Sequence, residues 1–163
     1  MSMDPLVFYE SFVLPNYCDF CEEEDNVRKG FNAALSVSHM TDNYYNYYKR
    51  HNPDKVARFK NIKIFKTYLS KKISYFDDIQ SLSNAHKHLY TYPDKSYVTV
   101  ESGGVVTSIT IQVGNILRID GSESDDFEKT VVIYTRKDGT RVKLKAALIK
   151  VIDLWEKMLD RSL

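Results

Sequence analysis

The sequence predicts an α+β fold: an N-terminal bundle of about four helices, a small antiparallel sheet and a closing helix. Three observations predict it. Up to residue 92 the apolar side chains recur at helical spacing. After Pro93 the period switches to alternation in Val, Ile and Thr. The last stretch, "AALIKVIDLWEKML", returns to helical spacing, with Leu148, Ile152, Trp155 and Leu159 along one side. The 163 residues are expected to form a single domain, with a helical part over 1–92, a sheet part over 93–145 and a closing helix over 146–161.

In chain order, Leu6, Val7, Phe8, Phe12 and Val13 begin a first helix that Pro15 is expected to kink or break. Asp25 or Asn26 can cap a second helix from about Val27 to His51, which Asn52-Pro53-Asp54 ends. A third helix is predicted from about Asp54 to Ser70 and a fourth from about Lys72 to Tyr90, the two being open to fusion into one. "SYVTVES", "GVVTSITIQV" and "NILRID" read as strands, and "GSESDDFE" as a polar loop. In "TVVIYTRKDGTRVKLK" two alternating strands meet at Asp138-Gly139, the pair that suits a type I′ hairpin turn.

Composition narrows the function classes. A hydrophobic share of 43% and an aromatic share of 13%, with twelve Tyr and eight Phe, argue against disorder. No run of apolar residues approaches the roughly 20 needed to span a bilayer, and "MSMDPLVFYE" lacks the basic region and cleavage site of a signal peptide, so a cytoplasmic location is expected. Cys18 and Cys21 form a Cys-x-x-Cys pair with no second pair to complete a zinc site, so reduced structural cysteines and no metal are expected. No Walker loop, Gly-x-Ser-x-Gly, Gly-x-Gly-x-x-Gly or His-Glu-x-x-His is present, and no cofactor is expected.

The net charge of +1 conceals a segregation. Residues 1–26 carry Asp4, Glu10, Asp19, Glu22, Glu23, Glu24 and Asp25 with no Lys or Arg, whereas 49–72 carry nine Lys or Arg against Asp54 alone. Such a chain either neutralises itself internally or presents a basic face to a polyanion.

Candidate sites follow from helical geometry. On the second helix, three tyrosines of "DNYYNYYKRH", Tyr44, Tyr45 and Tyr48, continue the apolar face, and only Tyr47 falls toward the opposite side. A second stripe gathers Arg28, Asn32, His39, Asp42 and Asn46, interrupted by Leu35, which suggests a groove rather than a fully solvated face. His39 with Asp42 one turn on is an oriented imidazole, capable of proton transfer or phosphate contact. On the third helix Lys60, Lys63, Thr67 and Lys71 share a side opposite Ile62, Phe65, Tyr68 and Leu69, and Tyr47 is a candidate stacking partner for a nucleic acid held by Lys60, Lys63 and Lys71. On the fourth helix His86 falls on the apolar arc and His88 on the polar arc with Asp77, Ser81 and Asn84, near a helix end where a cation is favoured, and Lys87 adjoins it as a further candidate.

"NAALSVSHMTD" (32–42) followed by "DIQSLSNAHKHL" (78–89) resembles a pattern in uncharacterised bacterial proteins often carried by mobile genetic elements, and the layout is distantly similar to HEPN-type helical domains. The resemblance implies a helical bundle, a homodimer and, in the ribonuclease members, an Arg and a His near the start of a helix. Between Lys72 and His88 there is no Arg, so only His88 matches that pair.

The expected function is therefore a cytoplasmic binding module, more an interaction protein than an enzyme. Its expected ligand-binding residues are Arg28, Asn32, His39, Asp42, Lys87 and His88, in a groove between the second and fourth helices. The alternatives are a HEPN-like RNA-binding protein or ribonuclease with His39 or His88 as the acid-base group, and a purely structural module that contacts a protein partner. A second copy of the chain, a nucleic acid and an unidentified protein are the expected partners, and no membrane is among them.

Overall fold

The computed structural model describes residues 3–87, 106–113 and 127–160, and shows an α+β arrangement of five helices and a three-stranded antiparallel sheet. Helix α1 covers 5–22. Asp4 caps it, its carboxylate accepting from the Leu6 and Val7 amides at 2.9 and 3.3 Å. Pro15 does not break this helix. A proline in a helix interior lacks a donor and its ring presses on the carbonyl four residues back. Here a π-helical turn over Tyr9–Val13 precedes it, with the Leu14 amide reaching back to the Tyr9 carbonyl, and the wider turn accommodates the ring.

Helix α2 runs Val27–His51, capped by the Asn26 side chain on the Lys29 amide at 3.1 Å. Gly30 admits a close crossing there: a Cβ would stand 2.8 Å from Leu144 Cδ2 and 3.2 Å from the Phe20 ring. The third helix begins later than its periodicity suggests. A 3₁₀ turn, Pro53–Val56, and a bend anchored by buried Val56 and Phe59 come first, and α3 spans Ile62–Lys72. Asn61 sets that start by accepting from the Ile64 amide at 3.1 Å. Helix α4, Phe76–Lys87, is separate from α3, because Ile73 is extended and a turn follows it.

Strands β1 (Val106–Val113), β2 (Phe127–Thr135) and β3 (Arg141–Lys143) pair in the order β1-β2-β3, with Val106 opposite Tyr134 and Ile133 opposite Lys143. "SYVTVES" and "NILRID" lie outside the described residues. The hairpin turn differs from the type I′ expectation. The Arg136 amide donates to the Thr140 carbonyl and the Gly139 amide to the Arg136 carbonyl, each at 2.9 Å, which makes a three-residue loop. Within this turn only Gly139 takes positive φ, +85°, whereas a I′ turn needs it at Asp138 too. Asp138 instead accepts from the Thr140 amide at 2.9 Å. Helix α5, Leu144–Met158, follows β3 directly and buries Leu148, Ile152 and Trp155.

One core joins helices and sheet: Tyr9, Phe20, Val37, Phe65, Ile79, Val132, Tyr134 and Trp155 belong to the same buried cluster. Two polar links cross it. Asp78, in the first turn of α4 with a side chain only 3% exposed, accepts from Tyr134 Oη at 2.6 Å and from Arg136 Nη2 at 2.6 Å and Nε at 3.0 Å. At the turn between α1 and α2, the Glu24 carbonyl accepts from the Val132 amide at 2.9 Å, and its carboxylate takes Lys145 Nζ at 2.5 Å and Lys129 Nζ at 2.9 Å.

Those lysines hold the Glu24 carboxyl below its usual value of 4.5, the Lys145 hydrogen bond contributing most. A carboxyl whose pKa is depressed by folding contributes stability above its unfolded value and loses it as pH falls through the folded one. Chemical denaturation should therefore show the wild type losing stability below about pH 4.5 more steeply than Glu24→Gln. Parallel pH profiles for the two proteins would remove Glu24 from the acid response.

Candidate functional site

The outer face of α2 carries an open groove of about 690 Å³. Its walls are His39, Asp42, Asn43, Asn46, Lys49 and Arg50 from α2, with Phe8 of α1 on one side. The helix turns this set outward because its opposite arc is spent on the core, where Val37, Met40, Thr41, Tyr44 and Tyr45 are buried. Helix α1 runs antiparallel along one flank, with Phe20 against Gly30 and Asp4 holding the Tyr47 hydroxyl. Helix α3 approaches the other flank, where Lys66 Nζ sits 3.1 Å from the Asp42 carboxylate.

Donors dominate these walls. Asn43 Nδ2 is buried without a hydrogen-bond partner among the described residues. Lys49 and Arg50 are exposed, and Lys49 leans toward the Tyr45 ring at 5.7 Å from its centroid. Asp42 is the one carboxylate among the groove residues, and it faces Lys66. An imidazole, two amides and two cations around an open channel suit a ligand rich in acceptors or negative charge.

The sequence-predicted residues divide between places. His39 and Asp42 stand together in the groove. Arg28 and Asn32 share their stripe but are exposed farther toward the start of α2, beyond the groove walls, and Leu35, between Asn32 and His39, is half-buried. Lys87 closes α4, and its side chain, like His88, lies outside the described residues. The groove next to His39 is bounded by α1, while α4 packs on the neighbouring arc, where Gln80 Nε2 donates to the Ser38 carbonyl at 3.2 Å.

The tyrosine-rich stretch is core. Tyr44 and Tyr45 are buried and Tyr48 packs on the same cluster. Tyr47 is half-buried against the Tyr48 and His51 rings at 5.4 and 4.5 Å, and its hydrogen bond to Asp4 raises its pKa above 10.0. It is thus committed to the α1 side, whereas exposed Lys60, Lys63 and Lys71 ride on or beside α3. The patch of Tyr47 with these lysines is accordingly split between two flanks of α2.

Four of the nine cations of 49–72 lie against rings, Lys49 on Tyr45 being the first. Lys55 lies 4.6 Å from the Tyr48 centroid, Arg58 is 4.7 Å from Phe59 and 4.5 Å from Tyr68, and Lys72 is 5.4 Å from Tyr68. Glu23 and Glu24 of the acidic segment are spent on Lys29, Lys129 and Lys145. Asn43, Lys49, Arg50 and Phe8 are groove residues that the sequence reading missed. Continuing the His39 stripe at three- and four-residue steps finds the first three, whereas Phe8 comes from tertiary packing and leaves no such signal.

No helix among the described residues is long and apolar enough to cross a membrane. No protein-family model, curated protein or solved structure matches the chain.

Proposed function

We propose that this protein is a binding module without a catalytic step, and that the outer face of α2, continued by the lysines of α3, holds an anionic macromolecule of the nucleic-acid class. The observation that carries the reading is the open groove in which His39, Asn43, Asn46, Lys49 and Arg50 converge beside a single, already paired carboxylate. Lys60, Lys63 and Lys71 extend the same charge outward as exposed side chains. Lysines and arginines confer phosphate affinity without sequence preference, and amide groups add adaptable hydrogen bonds. Free Cys18 and Cys21 fit a reducing cytoplasmic setting for this activity.

A salt titration of binding to labelled single-stranded RNA and duplex DNA tests it. Affinity should fall steeply with salt, and Lys60→Glu/Lys63→Glu should flatten the logarithmic slope by roughly 1.5 if both lysines meet phosphates. Absence of binding at low salt would end the nucleic-acid reading and leave the groove for another ligand. His39 beside Asp42 on an accessible wall favours one second reading, a HEPN-like ribonuclease. RNA turnover that disappears in His39→Ala or His88→Ala would replace the non-catalytic reading with that one.

A further inference from the structure

Among the described side chains Phe12 is the one exposed ring of the Phe, Tyr and Trp class, 45% open to solvent. A lone exposed phenylalanine needs no explanation by itself, but the place of this one links it to the groove on α2. Its ring stands 5.3 Å, centroid to centroid, from that of Phe8, which is already a groove wall. Because α1 runs antiparallel to α2, Asp4 lies level with Tyr47 and Phe20 with Gly30. Phe12, midway along α1, therefore falls level with His39, and Phe8 with Asn43. The two rings line the α1 side of a groove whose α2 side holds His39, Asn46, Lys49 and Arg50.

From this arrangement we infer that the groove selects an unpaired nucleic-acid strand, one base stacking on Phe12 while Lys49 and Arg50 hold phosphates. The inference rests on the nucleic-acid reading and narrows it to one form of the polymer. Every base presents a π-face, so an aromatic ring beside a basic groove binds single strands with little regard to sequence. In a duplex each base is covered above and below by its neighbours, which closes that face to Phe12 and leaves only phosphates for the cations. From His39 to Arg50 the groove follows α2 for roughly 16 Å at 1.5 Å per residue, room for a few nucleotides between the ring and the cations. Asn46, exposed between them, carries both a donor and an acceptor and can meet the edge of any base. Stacking thus falls to Phe12 and not to Tyr47, whose hydroxyl Asp4 holds.

Fluorescence anisotropy of the full chain with one labelled sequence, as single-stranded RNA, single-stranded DNA and duplex DNA, tests the selection. Both single strands should bind about tenfold or more tighter than the duplex. Phe12→Ala, with unchanged helical circular dichroism, should weaken single-strand binding about tenfold, leave duplex binding and the salt slope as they were, and be rescued by Phe12→Tyr. Lys49→Ala/Arg50→Ala should instead flatten the single-strand salt slope by about 1.4, at roughly 0.7 per phosphate contact. An abasic DNA oligomer of the same length keeps the phosphates and needs no altered protein; it should bind the wild type as weakly as the intact strand binds Phe12→Ala. Equal affinity for single strand and duplex, a Phe12→Ala chain that matches the wild type, or an abasic oligomer held as tightly as the intact strand would each overturn the inference and leave the nucleic-acid reading standing. Absence of binding to every one of these polymers at low salt ends both.

Discussion

Replacing Asp78 by Ala should destabilise the fold by about 3–5 kcal/mol, lowering Tm by roughly 10 °C in a chain of this size. Asp78 is buried and gathers three donors from across the helix–sheet junction: the Tyr134 hydroxyl and two guanidinium nitrogens of Arg136. Removing it strands a hydroxyl in the core and leaves Arg136, over the Tyr75 ring at 5.7 Å, without its carboxylate. The loss therefore comes less from the net contribution of the pair than from the uncompensated groups left behind. Asp78→Asn, which keeps an acceptor but removes the charge, should cost less. Differential scanning calorimetry decides, and a Tm of Asp78→Ala within a degree or two of the wild type would show that water reaches Arg136 freely.

Phe65→Ala should cost about as much, roughly 3–5 kcal/mol. Phe65 is fully buried and its ring lies 5.8 Å from Tyr44, 5.7 Å from Tyr45 and 5.0 Å from Phe59. It is the point at which α3 and the bend before it grip the tyrosines of α2. Truncation opens a cavity among rigid rings that collapse poorly, and it frees the segment that presents Lys60 and Lys63. Urea unfolding should show a lower midpoint, and nucleic-acid affinity of the still-folded fraction should weaken as well. A midpoint unchanged from wild type would mean that the surrounding rings repack without loss.

Helix α2 was readable from its ends and its wheel, because Asn26 is a good cap, Asn52-Pro53 ends the pattern and the apolar arc is wide. The sheet was readable in its alternation, with "GVVTSITIQV" and "TVVIYT" supplying β1 and most of β2. What escaped depends on contacts that local patterns do not encode. Pro15 looked like a breaker because the π turn that accommodates it has no sequence signature of its own. The late start of α3 turns on Asn61, one cap among several polar residues, and on the burial of Phe59. For the site, the stripe with His39 and Asp42 was visible, while its far wall was not, since Phe8 arrives from another helix. The separation of Tyr47 from the lysines likewise follows from which neighbour each flank of α2 receives.

The hydrogen bond from the Val132 amide to the Glu24 carbonyl has a further consequence. It lies on the side of β2 that pairs with β3, one residue past the Ile133–Lys143 pair, so the turn after α1 takes up the ladder where the short third strand stops. That single amide cannot exchange its proton with solvent until the turn lifts off the sheet. Its deuterium uptake thus records how often the helical half and the sheet part company, and places a spectroscopic reporter at the seam between them without any added label.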